Sequence, residues 1–222
     1  TVHFQHPRID NSDLTFDKIA CEIKNLQNEL DREKINIKLH LGSELYFQPN
    51  LVEFINNPIA TIGDGKYMLI EFPIINFPIG FETILFELQL DGVTPIIAHP
   101  ERYRQVQNDF RIISKFIDRG YIIQSDAGSI LGHFGTKAKN CIIDLLKNNL
   151  VHVLGSDAHN DSKRNFCLKN ALSRIDFLDD ITKKKLTYFN PRKIIIGEKI
   201  EISSTKISKD NFLKKIWKDF KK

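Results

Sequence analysis

The sequence predicts an α/β fold in which a parallel sheet, flanked by helices, curls toward a (β/α) barrel. Three observations carry this. Strand-like and helix-like segments alternate along the chain, the pattern of βαβ units. Tyr67–Phe72 is a continuous apolar run, as expected of a strand buried on both faces. And one strand after another finishes in a polar or ionisable residue. In a barrel all such ends meet on one rim, whereas a doubly wound sheet gathers them less completely around its switch point.

The elements follow in order. Residues 13–33 read as a helix, with Ser12 or Asp13 as its cap and Phe16, Ile19, Ile23, Leu26 and Leu30 at helical spacing. Residues 35–41 alternate as a strand. Pro49 opens a short helix over 51–55. The strand at 67–72 is followed by a helix at 81–90 that Gly92 stops. A strand at 94–98, a helix at 110–119 ended by Gly120, and a strand at 121–123 come next. A helix at 138–147 leads to a strand at 151–154. Helices at 165–175 and 181–188 follow, the last closed by Asn190-Pro191. No linker, repeat or low-complexity segment divides the chain, so we read residues 1–198 as one domain and 199–222 as a basic C-terminal extension.

Composition sets the outer bounds. The 222 residues are 41% hydrophobic and 27% charged, enough for one sizeable core. A net charge of +4, concentrated in the lysine-rich end, is too mild to argue for a nucleic-acid partner. Three widely spaced cysteines, Cys21, Cys141 and Cys167, do not make a disulfide framework, and a reducing cytoplasm is the default. No apolar run reaches the ~18 residues of a membrane span.

The strand ends hold the chemistry. Glu44 follows the first strand-like segment, Glu71 ends the second, His99 follows the third and Gln124 and Asp126 follow the fourth. Asp157 and His159 follow the fifth. Two Glu, two His and an Asp without a thiolate suit manganese, zinc or iron. Glu71 is hard to explain otherwise, since a carboxylate ending such an apolar run is desolvated and needs a partner or a metal. Glu44, in a Gly-Ser loop, is weaker alone. Taken alone, His99 can also be read as a satisfied structural residue, and the Asp157 segment as an Asp-rich turn capping a helix. Arg102 and Arg164 each follow one of these motifs, and a guanidinium fork grips phosphate. Arg164 can equally be a solvated residue at a helix start. His3 and His6, near the terminus, can be solvated.

Thiol-based phosphate chemistry does not fit. Cys141 has no Arg in place behind it, and Cys167 reaches Arg174 only after six intervening residues. No GxxxxGK loop is present.

Taken in order, Gly-Ser-Glu44-Leu-Tyr, Leu-Ile-Glu71-Phe-Pro, Ala-His99-Pro-Glu-Arg102-Tyr, Ala127-Gly-Ser-Ile-Leu-Gly132 and Gly-Ser-Asp157-Ala-His159-Asn resemble the capsular and exopolysaccharide tyrosine-protein phosphatases of the polymerase and histidinol phosphatase superfamily. Asn190-Pro191-Arg192 resembles that family's close. The resemblance implies a distorted seven-stranded, TIM-like (β/α) barrel. It implies a three-metal cluster, manganese first, with iron or zinc as alternatives. Glu44 would bridge two metals, Glu71 and His99 complete the second, Asp157 bind the first, and His159 the third. His3 matches the family's Thr-Pro-His motif, with Val2 in place of Pro. Arg102 and Arg164 would hold the phosphate, and hydrolysis would proceed without a phosphoenzyme.

The implied substrate is the phosphotyrosine tail of a membrane-associated tyrosine kinase of polysaccharide synthesis, met in the cytoplasm or at the inner face of the membrane. Alternatives are a phosphoesterase of the same superfamily acting on a small molecule or nucleic acid, and a non-catalytic barrel that has lost its first metal. The last rests on a departure: the family's opening Asp-x-His-x-His strand does not occur here, so the N-terminal strand region is expected to be missing from this chain. Expressed from Thr1, such a barrel would expose two unpaired edges and be a weakly folded, defective enzyme, unless a segment lies upstream. In the tail, Phe212, Leu213, Ile216, Trp217 and Phe220 recur at helical spacing among lysines. A helix over 212–222 would suit an anionic membrane surface, or pack on its own barrel or a second subunit.

Overall fold

The computed structural model describes residues 2–10 and 13–202. Six parallel strands form one sheet in sequence order. They are β1 (Val2–Phe4), β2 (Ser43–Tyr46), β3 (Tyr67–Glu71), β4 (Thr94–Ala98), β5 (Ile122–Asp126) and β6 (Val153–Gly155). The helices are α1 (Phe16–Arg32), α2 (Phe81–Leu90), α3 (Arg104–Asn108), α4 (Ile112–Asp118) and α5 (Ala127–Leu131). They continue with α6 (Gly135–Lys147), α7 (Leu168–Leu172), α8 (Asp180–Lys184) and α9 (Asn190–Ile195).

The alternation of side chains along each strand sorts the sheet into two faces. Leu45, Met68, Ile70, Ile97, Ile123 and Leu154 point outward into the larger core, where the helices cover them. Tyr67, Leu69, Ile96, Ala98, Ile122 and Val153 point inward, and Ile194 and Ile200 from the C-terminal end pack beneath them. The parallel register then carries the inner face upward from this apolar floor. His3 pairs with Glu44, and Glu44 with Leu69. Tyr46 pairs with Glu71, and Asp126 with Gly155. The inner face is therefore apolar at one end and ionisable at the other, the layering of a (β/α) barrel interior.

The sheet curls. A flat sheet would hold β1 and β6 about 24 Å apart at the usual strand spacing. Yet His3 on β1 and His159, four residues beyond β6, bring their Nε2 atoms to 3.1 Å. The two edges thus approach each other at the polar end, as in a half-barrel.

Several elements differ from the expectation. Residues 35–41 form no strand. Gln27 on α1 donates to the Ile37 carbonyl and accepts from the Leu39 amide, both at 2.9 Å, so a helix side chain replaces a neighbouring strand. The strand starts at Ser43, which puts Glu44 inside β2. Helix α1 starts at Phe16, capped by Thr15 rather than Asp13; Ser12 lies outside the described residues. The helix expected at 165–175 shrinks to Leu168–Leu172. Asn190-Pro191 does not close the last helix. Pro191 sits in the first turn of α9, where its missing N–H costs nothing, after a π-helical turn at Lys185–Phe189. The expected tail helix at 212–222 lies outside the described residues.

Candidate metal and phosphate centre

The rim residues are set by unusual backbone. Gln5, His99 and Asp157 all have positive φ, at 58°, 32° and 46°, a region that costs non-glycine residues and that clusters at functional sites. At Gln5 the turn lets both His3 and His6 face the rim, their rings 5.4 Å apart. At His99 it ends β4 and starts a single 3₁₀ turn, Pro100–Arg102. Tyr103 fixes this corner. Its buried hydroxyl donates to the Ala98 carbonyl at 2.7 Å and accepts from the Phe72 amide at 2.9 Å. The ends of β3 and β4, and so Glu71 and His99, are tied to one side chain.

Around this corner the ionisable groups converge. His99 Nε2 lies 3.2 Å from Glu44 Oε1 and 3.7 Å from Glu71 Oε1. His3 Nδ1 lies 3.8 Å from Glu44 Oε1, and His6 Nε2 3.8 Å from Glu71 Oε2. One donor atom each from His3, Glu44 and Glu71 falls within 4.8 Å of the others. Glu44, Glu71 and His99 are buried. Burial opposes the charge on Glu44, but the His99 hydrogen bond, helped by the charges of His99, His3 and Arg102, holds its carboxyl down at about 2. Glu71 has no such bond, and burial, reinforced by the Glu44 charge, pushes it up to about 7. Burial lowers the His3 imidazole.

This donor set suits a divalent cation. His159 Nδ1 lies 2.9 Å from the Asp157 carbonyl, so it carries the proton and Nε2 is left as an acceptor. His3 then donates through Nε2, which leaves its Nδ1 lone pair facing Glu44. That nitrogen is buried without a hydrogen-bond partner, as is Glu71 Oε2. A lone pair and two carboxylates facing one another in low dielectric repel, and a cation among them removes the conflict.

The second half of the rim is a pair of arginines on one carboxylate. Arg102 Nη1 is 3.1 Å and Arg164 Nη2 2.5 Å from Asp157 Oδ2. The loop from Asp157 to Arg164 closes on itself, with the His159 amide donating to the Arg164 carbonyl at 2.7 Å. Asn160 Oδ1 accepts from the Arg164 and Ser162 amides. Glu44, Glu71, His99, Arg102, Asp157, His159, Arg164 and His3 thus all come together on one rim.

Three groups escaped the reading of the sequence. His6, beside Glu71, looked like terminal sequence. Phe134 lies against both guanidiniums, a contact with no local signature. Glu101 is wholly buried and accepts from the Asp126 amide and Ser129 Oγ through Oε1. Beside it, burial and then the Glu101 charge push Asp126 up to about 7. A carboxyl whose folded pKa exceeds its unfolded value binds more protons when folded. Its contribution is therefore present at low pH and lost as pH rises from about 4 to about 7. Asp126→Asn keeps the cap on the Gly128 amide and removes that loss. It should raise the melting temperature of the chelated protein at pH 8 by on the order of 5 °C, with the gain vanishing near pH 4. A thermal melt series across pH reads both.

Comparisons with known proteins bear on the whole of this architecture. The family model described as capsular polysaccharide synthesis, CpsB/CapC, matches residues 1–196. A protein of Staphylococcus aureus named putative tyrosine-protein phosphatase CapC is 30% identical over 94% of this chain and 78% of its own length. The tyrosine-protein phosphatase YwqE of Bacillus subtilis is 34% identical over 66% of this chain and 58% of its own. The tyrosine-protein phosphatase CpsB of Streptococcus pneumoniae is 29% identical over 90% and 85%. A crystal structure from work on YwqE and CpsB, described as metal-dependent tyrosine phosphatases, superposes with a TM-score of 0.81. It covers 93% of this chain and 83% of the other at 27% identity. With the motifs, the curled sheet and a match along nearly its whole described length, the chain belongs to the CpsB/CapC family of capsular polysaccharide synthesis.

Proposed function

We propose that this chain is a metal-dependent protein-tyrosine phosphatase that removes phosphate from the phosphotyrosine tail of a membrane-associated tyrosine kinase of polysaccharide synthesis. Family membership and the named activity of the relatives support this. The observation that carries it is the rim itself: buried carboxylates and imidazoles with orphaned donor atoms, beside two arginines that share one carboxylate.

His3, Glu44, Glu71, His99, Asp157 and His159 would hold a cluster of three metals, manganese the preferred ion. When bound, the cations polarise phosphoryl oxygens and supply an activated water. The chain's residues do the rest. Arg102 and Arg164 orient the phosphate with charge-assisted forks. Tyr103 and the positive-φ turn at His99 keep the donors in place, and the buried inner face below excludes bulk water. The six strands would form most of a distorted seven-stranded barrel, and residues 1–198 its catalytic domain. Among the described residues no helix is long and apolar enough to cross a membrane. Attachment at the inner face would fall to the basic segment at 212–222.

A substrate panel tests this reading. Phosphotyrosine peptide should be turned over far faster than histidinol phosphate or an oligonucleotide. A preference for either of the others would move the chain to a different phosphoesterase function on the same rim.

A further inference from the structure

Phe134 sits in the short link between α5 and α6 and is half-buried. The Arg102 guanidinium carbon lies 4.5 Å from its ring centroid, and that of Arg164 5.6 Å. One ring therefore serves both arginines, which also share Asp157 Oδ2.

The link is built to present that ring. Gly132 and Gly135 flank it with φ of 90° and 87°, turns that a side chain would strain. Gly128, one turn earlier, leaves the space: a Cβ there would fall 2.9 Å from His133 Nδ1 and 3.3 Å from Phe134 Cε2.

We infer that Phe134 is a positioning residue for phosphate recognition, its ring face holding the two guanidiniums side by side so that both can grip one phosphoryl group. This rests on the reading of Arg102 and Arg164 as phosphate ligands. Two like charges repel, and in the chain alone Asp157 balances them. Once that carboxylate turns to a cation, the arginines lose their common counter-ion. A ring face attracts guanidinium through its quadrupole and consumes no N–H donor, so the forks remain free for phosphate. Leucine would fill most of the same space without the quadrupole.

The experiment is calorimetric titration of inorganic phosphate into the metal-loaded full chain, for Phe134→Leu, Phe134→Tyr and Arg102→Ala. Metal content and melting temperature are measured alongside. Phe134→Leu should bind phosphate about tenfold more weakly, the loss of two exposed cation–π contacts, with metal content and melting temperature unchanged. Phe134→Tyr should retain affinity. If Arg102→Ala loses affinity while Phe134→Leu does not, the inference about Phe134 is overturned and the clamp stands. Wild-type affinity in Arg102→Ala removes both. Equal losses in the Leu and Tyr variants would overturn the role of the ring face. Should Phe134→Leu not fold, Phe134→Met, which fills the space with a flexible chain, is read the same way.

Discussion

Glu44→Gln should cost the protein most of its activity and also lower the stability of the chelated chain. Glu44 contacts His99 at 3.2 Å, approaches His3 at 3.8 Å, and lies in the group that can close on a cation with Glu71. Glutamine keeps the shape and one acceptor but removes the negative charge that would hold a cation. Metal content should fall, and phosphotyrosine hydrolysis should drop by roughly 10²–10³-fold, the scale of several kcal/mol lost from metal-assisted stabilisation. Without metal the variant should still lose stability. The fold holds the Glu44 carboxyl at about 2, below its ordinary value, so the native state favours its charged form and that contribution is present above about pH 4. Melting curves at pH 7 in chelator should show Glu44→Gln below the unmodified chain, and curves with manganese should show it further below. A variant that holds full metal and full activity would remove Glu44 from the site.

The second large effect falls on phosphate rather than metal. Arg102→Ala and Arg164→Ala each delete a charge-assisted hydrogen bond, worth roughly 1.5–3 kcal/mol, or about 10–150-fold in phosphate or vanadate affinity. Metal content should not change, because a guanidinium has no lone pair to give a cation. The Arg102 side chain is 16% exposed against 31% for Arg164. Its contacts are less screened, so Arg102→Ala should show the greater loss. Competition binding with vanadate, paired with elemental analysis, separates this from a metal defect. Unchanged affinity in both variants would refute the assignment.

Much of the rim was legible in the sequence, because Glu71, His99 and Asp157 stand at or just past strand ends. Glu44 was reached as the end of a misplaced strand, and His3, inside β1, only through the resemblance. Glu71 is the clearest case: a carboxylate closing Tyr-Met-Leu-Ile has nowhere to go but a buried rim. His99 and Asp157 could be placed from their positions after β4 and β6, though not their strained backbone. The misplaced strand at 35–41 has a physical cause. Alternating Ile and Leu look alike whether they pair with a strand or lie along a helix, and the Gln27 side chain that decides the matter is remote in sequence. Phe134 and Glu101 were invisible for the same reason. Phe134 meets Arg102 and Arg164 only once the sheet curls, and Glu101 meets Asp126 and Ser129 only once β4 and β5 pair. His6 depends on the Gln5 turn, for which a non-glycine residue gives no warning.

Metal dependence carries the account, and chelation tests it most directly. The protein should be stripped exhaustively, assayed on a phosphotyrosine peptide, then assayed again after addition of manganese, zinc, iron or magnesium, with a thiol-blocking reagent in a parallel arm. Activity should be lost on stripping and recover with manganese first among the ions. Thiol blocking should leave it unchanged, since Cys141 and Cys167 are buried, burial pushes the Cys167 thiol up, and the exposed Cys21 sits on α1 outside the rim. Full activity after complete metal removal, or inactivation by the thiol reagent alone, would contradict it.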